Sequence, residues 1–135
     1  MAFQGNFTCD SFKEALFKAD VDFLVDTIKI ALYDNTATLN ASTTAYTTIG
    51  EVVAPGYTAG GNTLTPTVAL ANGVSYVDFG NTSWSAAITA RGALIYKSGG
   101  TAICVLDFGS DKISTATFTV EFPTNTSNSA LIRLS

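Results

Sequence analysis

The sequence predicts a mainly β protein, either an antiparallel β-sandwich or a jelly-roll-like barrel, with one short helix near the N-terminus. Short apolar or alternating runs recur at intervals of about 8 to 12 residues, and turn signals rich in Gly, Asn and Ser separate them. Only one stretch has helical periodicity. The 135 residues fit a single β domain spanning residues 1–135, which can bury roughly two-thirds of the surface that the unfolded chain exposes.

The helix is predicted from about Ser11 to Ala19. Ser11 and Glu14 have the spacing of a capping box. Apolar residues then recur at helical intervals and form one stripe: Phe12, Ala15, Leu16, Ala19 and Phe23. The preceding residues 1–7, "MAFQGNF", carry no charged side chain. We expect an arm there whose Phe3 and Phe7 contact a partner, with a frayed terminus as the alternative.

Strands are predicted through residues 27–135, beginning with the alternating run "TIKIALY". A long polar connection follows it. The runs "TLTPTVAL" and "VSYVDF" flank "ANG" and predict a hairpin, and "TAICVLDF" is expected to pair with "GALIYK" across "SGG". Gly92 indicates a bend or bulge near "WSAAITA" and "RGALIYK". "TATFTVEF" and "SALIRLS" complete the predicted strands.

The triplet Asp-Phe-Gly occurs twice, at residues 78–80 and 107–109. In protein kinases the Asp of this triplet holds Mg²⁺. This chain has no His, and therefore no His-Arg-Asp loop, and it lacks the Val-Ala-Ile-Lys motif. Both copies end a strand-like run and precede a polar cluster. We interpret them as structural turns in which Phe79 and Phe108 are buried.

No catalytic, cofactor-binding or metal site is predicted, and we expect that the protein is not an enzyme. The lack of His removes the usual base for a Ser or Cys nucleophile. Asp78 and Asp107 could serve carboxylate-only glycosidase chemistry, but the sequence does not place them across a cleft. The aspartates at positions 20, 22 and 26 lack the EF-hand pattern. Cys9 and Cys104 match no zinc or redox spacing and are expected to be buried, reduced thiols.

The composition indicates a protein that associates with copies of itself or with a partner. Charged residues make up 13% of the chain, against about 25% in an ordinary soluble domain, and mean hydropathy is +0.28. Because so few charges protect the surface, we expect a homo-oligomer, with a trimer favoured. The net charge is −4 without a basic cluster, which excludes a nucleic-acid groove. No apolar run is long enough to cross a membrane.

Several stretches resemble a family of small β-rich structural proteins in the virions of tailed bacteriophages. They include "DTIKIALYDNTATLNASTTAYTTIGEV", "GYTAGGNTL", "VDF", "TARGALIYKS", "AICVLDFGSDK", "FTVEFP" and "ALIRL". The resemblance covers almost the whole chain, including the "SFKEALF" helix. It implies a virion component that assembles in the host cytoplasm and binds the major capsid protein or another virion protein.

Within a virion, the role expected first is capsid decoration, in which a cement protein stabilises the head shell. A compact β domain of low charge suits this role, because many copies can contact one another around symmetry axes. Two alternatives remain at this point. One is a carbohydrate- or host-surface-binding module of a fibre, which an outward patch of aromatic and Asn or Asp side chains would favour. The other is a neck or tail component.

Overall fold

The computed structural model describes Phe3 and residues 5–134, and all of its strand pairings are antiparallel. The elements in chain order are β1 (Phe7–Thr8), α1 (Asp10–Phe17), β2 (Ile28–Tyr33), β3 (Asn62–Thr63), β4 (Pro66–Ala71), β5 (Val74–Phe79), β6 (Thr82–Trp84), β7 (Thr89–Lys97), β8 (Ala102–Ile113), β9 (Phe118–Val120) and β10 (Ile132–Leu134). The prediction of a mainly β, sandwich-like fold with one short helix near the N-terminus is therefore confirmed.

The largest sheet has five strands in the order β1-β8-β7-β2-β3. Its middle strands β2 and β7 are buried on both faces. The polar connection of residues 34–61 packs against this sheet, and Val52 N–H donates a hydrogen bond of 2.9 Å to the carbonyl of Leu32. Tyr33 Oη donates a 2.7 Å bond to the carbonyl of Thr47. The connection thus gives the sheet a second covered face.

The other strands form a three-stranded sheet, β10-β5-β4, and a two-stranded sheet, β6-β9. The predicted β4–β5 hairpin is present, and its two-residue turn places Asn72 and Gly73 at φ 54° and 74°. These positive angles are those of a type I′ turn, which Asn-Gly favours. Aromatic contacts join the sheets into one core, with Phe79 lying 6.1 Å from Phe23 and 5.5 Å from Phe122 between ring centroids.

The start of the helix differs from the capping-box prediction. Helix α1 begins at Asp10, and Cys9 occupies the N-cap position without a side-chain cap. Ser11 lies inside the helix, and its hydroxyl forms a 2.7 Å hydrogen bond with the hydroxyl of Thr101. The Ser11 hydroxyl therefore makes a tertiary hydrogen bond. It does not cap the backbone at the start of the helix, which the sequence pattern predicted.

The helix ends at Phe17, two residues before the predicted end. Ala19 adopts a left-handed φ of 58°. Asp20 N–H then bonds the carbonyl of Ala15 at 2.9 Å, and Ala19 N–H bonds that of Leu16 at 3.3 Å. These two bonds form a Schellman motif, which satisfies carbonyls in the last turn.

The two Asp-Phe-Gly triplets have different structures. Phe79 is buried and ends β5, as predicted. The second triplet does not end a strand, because β8 continues through it to Ile113. The β7–β8 pairs on either side of it are Gly92–Asp107 and Ala90–Lys112, so residues 108–111 bulge opposite a single β7 residue. Phe108 is half-buried against the core.

Candidate functional site

Phe3 is not a partner contact, because it belongs to the core of its own chain. Its relative exposure is 1%. The ring lies where a side chain on Gly92 would be, and the guanidinium carbon of Arg91 is 5.8 Å from the ring centroid. The absence of a side chain on Gly92 thus leaves the space that the ring fills. The prediction that Phe3 docks on a neighbour is wrong.

Phe7 also belongs to the fold, although less completely. Strand β1 pairs Phe7 with Val105 and Thr8 with Cys104. The ring is half-buried, packs against the core, and lines a shallow groove of about 100 Å³ beside Leu131 and Ile132. The predicted arm is therefore wrong for residues 5–7 and Phe3, whereas residues 1, 2 and 4 lie outside the described part of the chain. Phe7 keeps some surface that a partner could contact.

The carboxylate of Asp107 is fixed by contacts within its own chain. It forms an ion pair with Arg91, and Gly109 N–H donates a 2.8 Å hydrogen bond to it. Desolvation alone would raise the pKa of Asp107, but the bonds from Gly109 and Arg91 together hold that pKa below its ordinary value. The carboxylate thus stabilises the bulge in β8.

Asp78 lies in β5 and is only 2% exposed. Neither of its carboxylate oxygens has a hydrogen-bond partner among the described residues. Burying a carboxylate without a partner is costly. Asp78 therefore lowers the stability of the fold in its charged form.

The aspartates between residues 20 and 26 stabilise a local turn. Asp22 N–H donates a 2.8 Å bond to the carboxylate of Asp26, and Leu24 N–H donates a 2.9 Å bond to that of Asp22. The bond from the Asp22 backbone is the main cause of the lowered pKa of Asp26, and Lys97, 3.3 Å away, adds to it. Across Phe3 and residues 5–134, no three acidic, Cys or His side chains converge on a metal-sized site.

Cys9 and Cys104 are buried free thiols, as predicted. Burial raises the pKa of Cys9 to about 11 and raises that of Cys104 as well. Because the thiolate is the reactive form, both side chains are unreactive near neutral pH. Their role in the structure is packing.

A buried polar cluster that was not predicted from the sequence surrounds Glu51, which is 7% exposed. Its carboxylate accepts hydrogen bonds from Tyr46 Oη at 2.5 Å, Tyr57 Oη at 2.7 Å and Gly60 N–H at 2.8 Å. Tyr57 Oη also accepts a 2.9 Å bond from Leu32 N–H in β2. Glu51 thus fixes the connection of residues 34–61 to the sheet.

The tyrosines of this cluster stay protonated well above neutral pH. Burial, reinforced by the charge of Glu51, raises the pKa of Tyr96 to about 12. Burial also raises the pKa of Tyr46 and Tyr57, which donate hydrogen bonds to Glu51. One sequence signal could have revealed the cluster, since Glu51 is the single acidic residue between Asp34 and Asp78 and has tyrosines on both sides.

Beside the cluster lies an open cleft of about 450 Å³, lined in part by Tyr46, Tyr96, Lys29 and Lys97. The two tyrosine rings stack on each other with centroids 4.8 Å apart. Tyr96 is buried and its hydroxyl is bonded to the carbonyl of Gly60 at 2.6 Å. The rings therefore present little free face to a ligand.

The surface of the described residues carries large apolar side chains. The exposed ones are Phe17, Leu24, Val25, Ile49, Val53, Val68, Leu70, Ile113 and Leu134. Val68 and Leu70 lie on one face of β4, and the register aligns Leu70 with Ser75 in β5 and Leu134 in β10. We call Val68, Leu70 and Leu134 the hairpin-end patch. It extends the core-facing side of the three-stranded sheet into solvent.

No protein-family model, curated protein or solved structure matches this chain. Within the described residues, no helix combines the length and apolar character that crossing a membrane requires. Two features of the described residues are candidates for function, the exposed apolar side chains and the open edge of β4.

Proposed function

We propose that the protein is a structural component of a tailed-bacteriophage virion and acts as a capsid decoration or cement protein. The observation that carries the proposal is the combination of nine exposed large apolar side chains among Phe3 and residues 5–134 with a charged fraction of 13%. Such a surface is poorly protected against association and fits a subunit that is covered in its working state. That the covering partners belong to a virion is proposed from the resemblance to structural proteins of tailed bacteriophages.

A non-enzymatic role agrees with what the acidic residues do. Glu51 and Asp107 are occupied by hydrogen bonds or ion pairs within the fold, and Asp26 stabilises a turn. These carboxylates therefore already have structural tasks. The proposed activity is binding, with the major capsid protein as the partner and further copies of this chain as neighbours.

The contact with the shell should come from the exposed aliphatic side chains rather than from an N-terminal arm. Phe3 is enclosed by the fold and has no surface to offer the shell. Ile49 and Val53 lie in the connection of residues 34–61, and both are largely exposed. An apolar contact of this kind contributes about 25 cal/mol for each Å² that it removes from water.

The alternative of a sugar-binding fibre module receives less support. Sugar recognition uses exposed aromatic faces, whereas Phe17 is the one aromatic residue among the exposed large apolar side chains of the described chain. The tyrosines of the Glu51 cluster are committed to internal hydrogen bonds. A neck or tail component differs from a cement protein in copy number and symmetry, and the count per particle separates them.

The proposal is tested with phage particles from which the gene has been deleted. We expect deleted particles to lose infectivity at a lower temperature than wild-type particles, and purified protein added back should bind them and restore resistance. Wild-type particles, whose sites are already filled, are the control and should bind no added protein. Equal heat resistance of the two kinds of particle, together with no binding, would contradict the cement role.

A further inference from the structure

Strand β4 is an open edge of the three-stranded sheet, and the register shows which of its backbone groups point outward. Gly80 N–H bonds the carbonyl of Thr65 at 3.1 Å, and the β4–β5 pairing continues without a register shift from Pro66–Phe79 to Ala71–Val74. Hydrogen-bonded and non-hydrogen-bonded pairs alternate along an antiparallel ladder. Val68 and Leu70 therefore direct their N–H and C=O groups away from β5.

This edge is the least protected one in the topology. The other strands at sheet edges, β1, β3, β6, β9 and β10, are two or three residues long, whereas β4 has six residues. Proteins usually protect a long edge with charged side chains, an internal Pro or a bulge. β4 carries no charge, its Pro66 lies at the first position, and its pairing has no bulge.

The side chains at the edge are apolar and accessible. Val68 is 42% exposed and Leu70 is 75% exposed, and both lie on the same face of the sheet. The alternate residues Thr67, Ala69 and Ala71 are small and leave room for a neighbouring strand. The edge thus offers free backbone groups together with an apolar face.

We propose that β4 pairs antiparallel with β4 of a second copy of this chain, about a two-fold axis at Ala69. Outward-facing residues must pair with outward-facing residues, which aligns Val68 with Leu70 of the partner and Leu70 with Val68 of the partner. This register forms four backbone hydrogen bonds and one continuous six-stranded sheet. It also gathers two valines and two leucines on one face.

A second copy suits this edge better than a charged or polar partner strand. An isologous contact brings each residue of β4 close to the same residue, or its neighbour, in the second copy. A charged side chain on β4 would therefore lie close to a like charge of the partner. β4 contains no charged residue, so this repulsion is absent. The inference rests on the self-association in the proposed function and specifies where it occurs. A two-fold contact makes a dimer, so it replaces the trimer expected from the sequence.

The test combines sedimentation equilibrium with amide hydrogen exchange on the purified chain. A strand-to-strand contact of this size should dissociate in the range of about 1–100 µM. Above this range we expect twice the monomer mass of 14.1 kDa. The amides of Val68 and Leu70 should become protected only in the dimer. Ala69, which bonds Tyr76 in its own chain, should be protected at every concentration.

Leu70→Lys is the informative variant, since it places two like charges near the axis without disturbing the core. It should raise the dimer dissociation constant at least about tenfold. Val53→Lys makes the same change at a 97% exposed site in the 34–61 connection and should leave that constant unchanged.

Two outcomes would overturn the inference: a monomer at all these concentrations, or an oligomer in which Val68 and Leu70 amides remain unprotected and Leu70→Lys has no effect. Neither outcome bears on whether particles contain the protein. A failure of this interface is therefore distinguishable from a failure of the cement role.

Discussion

At the scale of single residues, Phe3 was predicted from the sequence to contact a partner, but it is buried in the core of its own chain. We expect Phe3→Ala to lower the free energy of unfolding by about 3–5 kcal/mol, because it empties a filled space beside Gly92 and Arg91. Urea denaturation measures this loss. Phe17→Ala, at an almost fully exposed position, is the matched control and should change stability by less than about 0.5 kcal/mol. Equal effects of the two substitutions would contradict the placement of Phe3.

A second residue-scale prediction concerns Asp78, whose buried carboxylate has no partner among the described residues. Asp78→Asn keeps the shape and removes the charge, so we expect the free energy of unfolding at neutral pH to rise by about 1 kcal/mol or more. Asp107→Asn removes the charged partner of Arg91. This substitution should therefore lower the free energy of unfolding. A loss of stability in Asp78→Asn would show that the carboxylate has a partner in solution.

At the scale of elements, the connection of residues 34–61 depends on Glu51. Glu51→Ala leaves two tyrosine hydroxyls and the Gly60 N–H without their acceptor, and we expect a loss of about 2–5 kcal/mol. Hydrogen exchange should show the earliest opening within this connection. Glu121→Ala, at an exposed position, is the control and should have little effect. Equal stability of the two variants would mean that the connection is held by other contacts.

The same cluster predicts how stability depends on pH. The ordinary tyrosine pKa is 10.0, and burial in the folded state raises that of Tyr96 to about 12, with the pKa of Tyr33, Tyr46 and Tyr57 also raised. The unfolded chain therefore loses these protons first, so stability should be complete below about pH 10 and fall as pH rises through 12. Chemical denaturation at stepped pH measures the fall, and ultraviolet absorbance of tyrosinate follows the titration. Titration of all these tyrosines near pH 10 in the folded protein would contradict the cluster.

The sequence predicted the elements that depend on local chemistry and missed those that depend on tertiary contacts. The β4–β5 hairpin was predictable because Asn72-Gly73 specifies its turn. Ser11 does not cap the helix, because its hydroxyl bonds the hydroxyl of Thr101, 90 positions away. The second Asp-Phe-Gly was mistaken for a strand end because β7 pairs along both sides of its bulge. That β4 lies at an edge follows from strand order, which residue patterns do not specify.

At the scale of the whole molecule, the fold class was predictable because strand periodicity and turn spacing recur along the chain. The candidate surface was predictable only in general terms. Low charge indicated association, but the arm that the sequence pointed to is largely internal. The exposed large apolar side chains of the described residues lie instead on α1, at residues 24–25, on β4, β8 and β10, and in the connection of residues 34–61. We therefore propose a β domain whose exposed apolar surface is covered by neighbours in a virion.

The number of copies of this chain in a purified virion tests that account most directly. Quantitative mass spectrometry of particles, referenced to the major capsid protein, gives the count. The account predicts copies in the hundreds, at a fixed ratio to the capsid subunit that follows the shell's symmetry. A count of a dozen or fewer would assign the chain to the neck or tail, and its absence from purified particles would contradict a structural role in the virion.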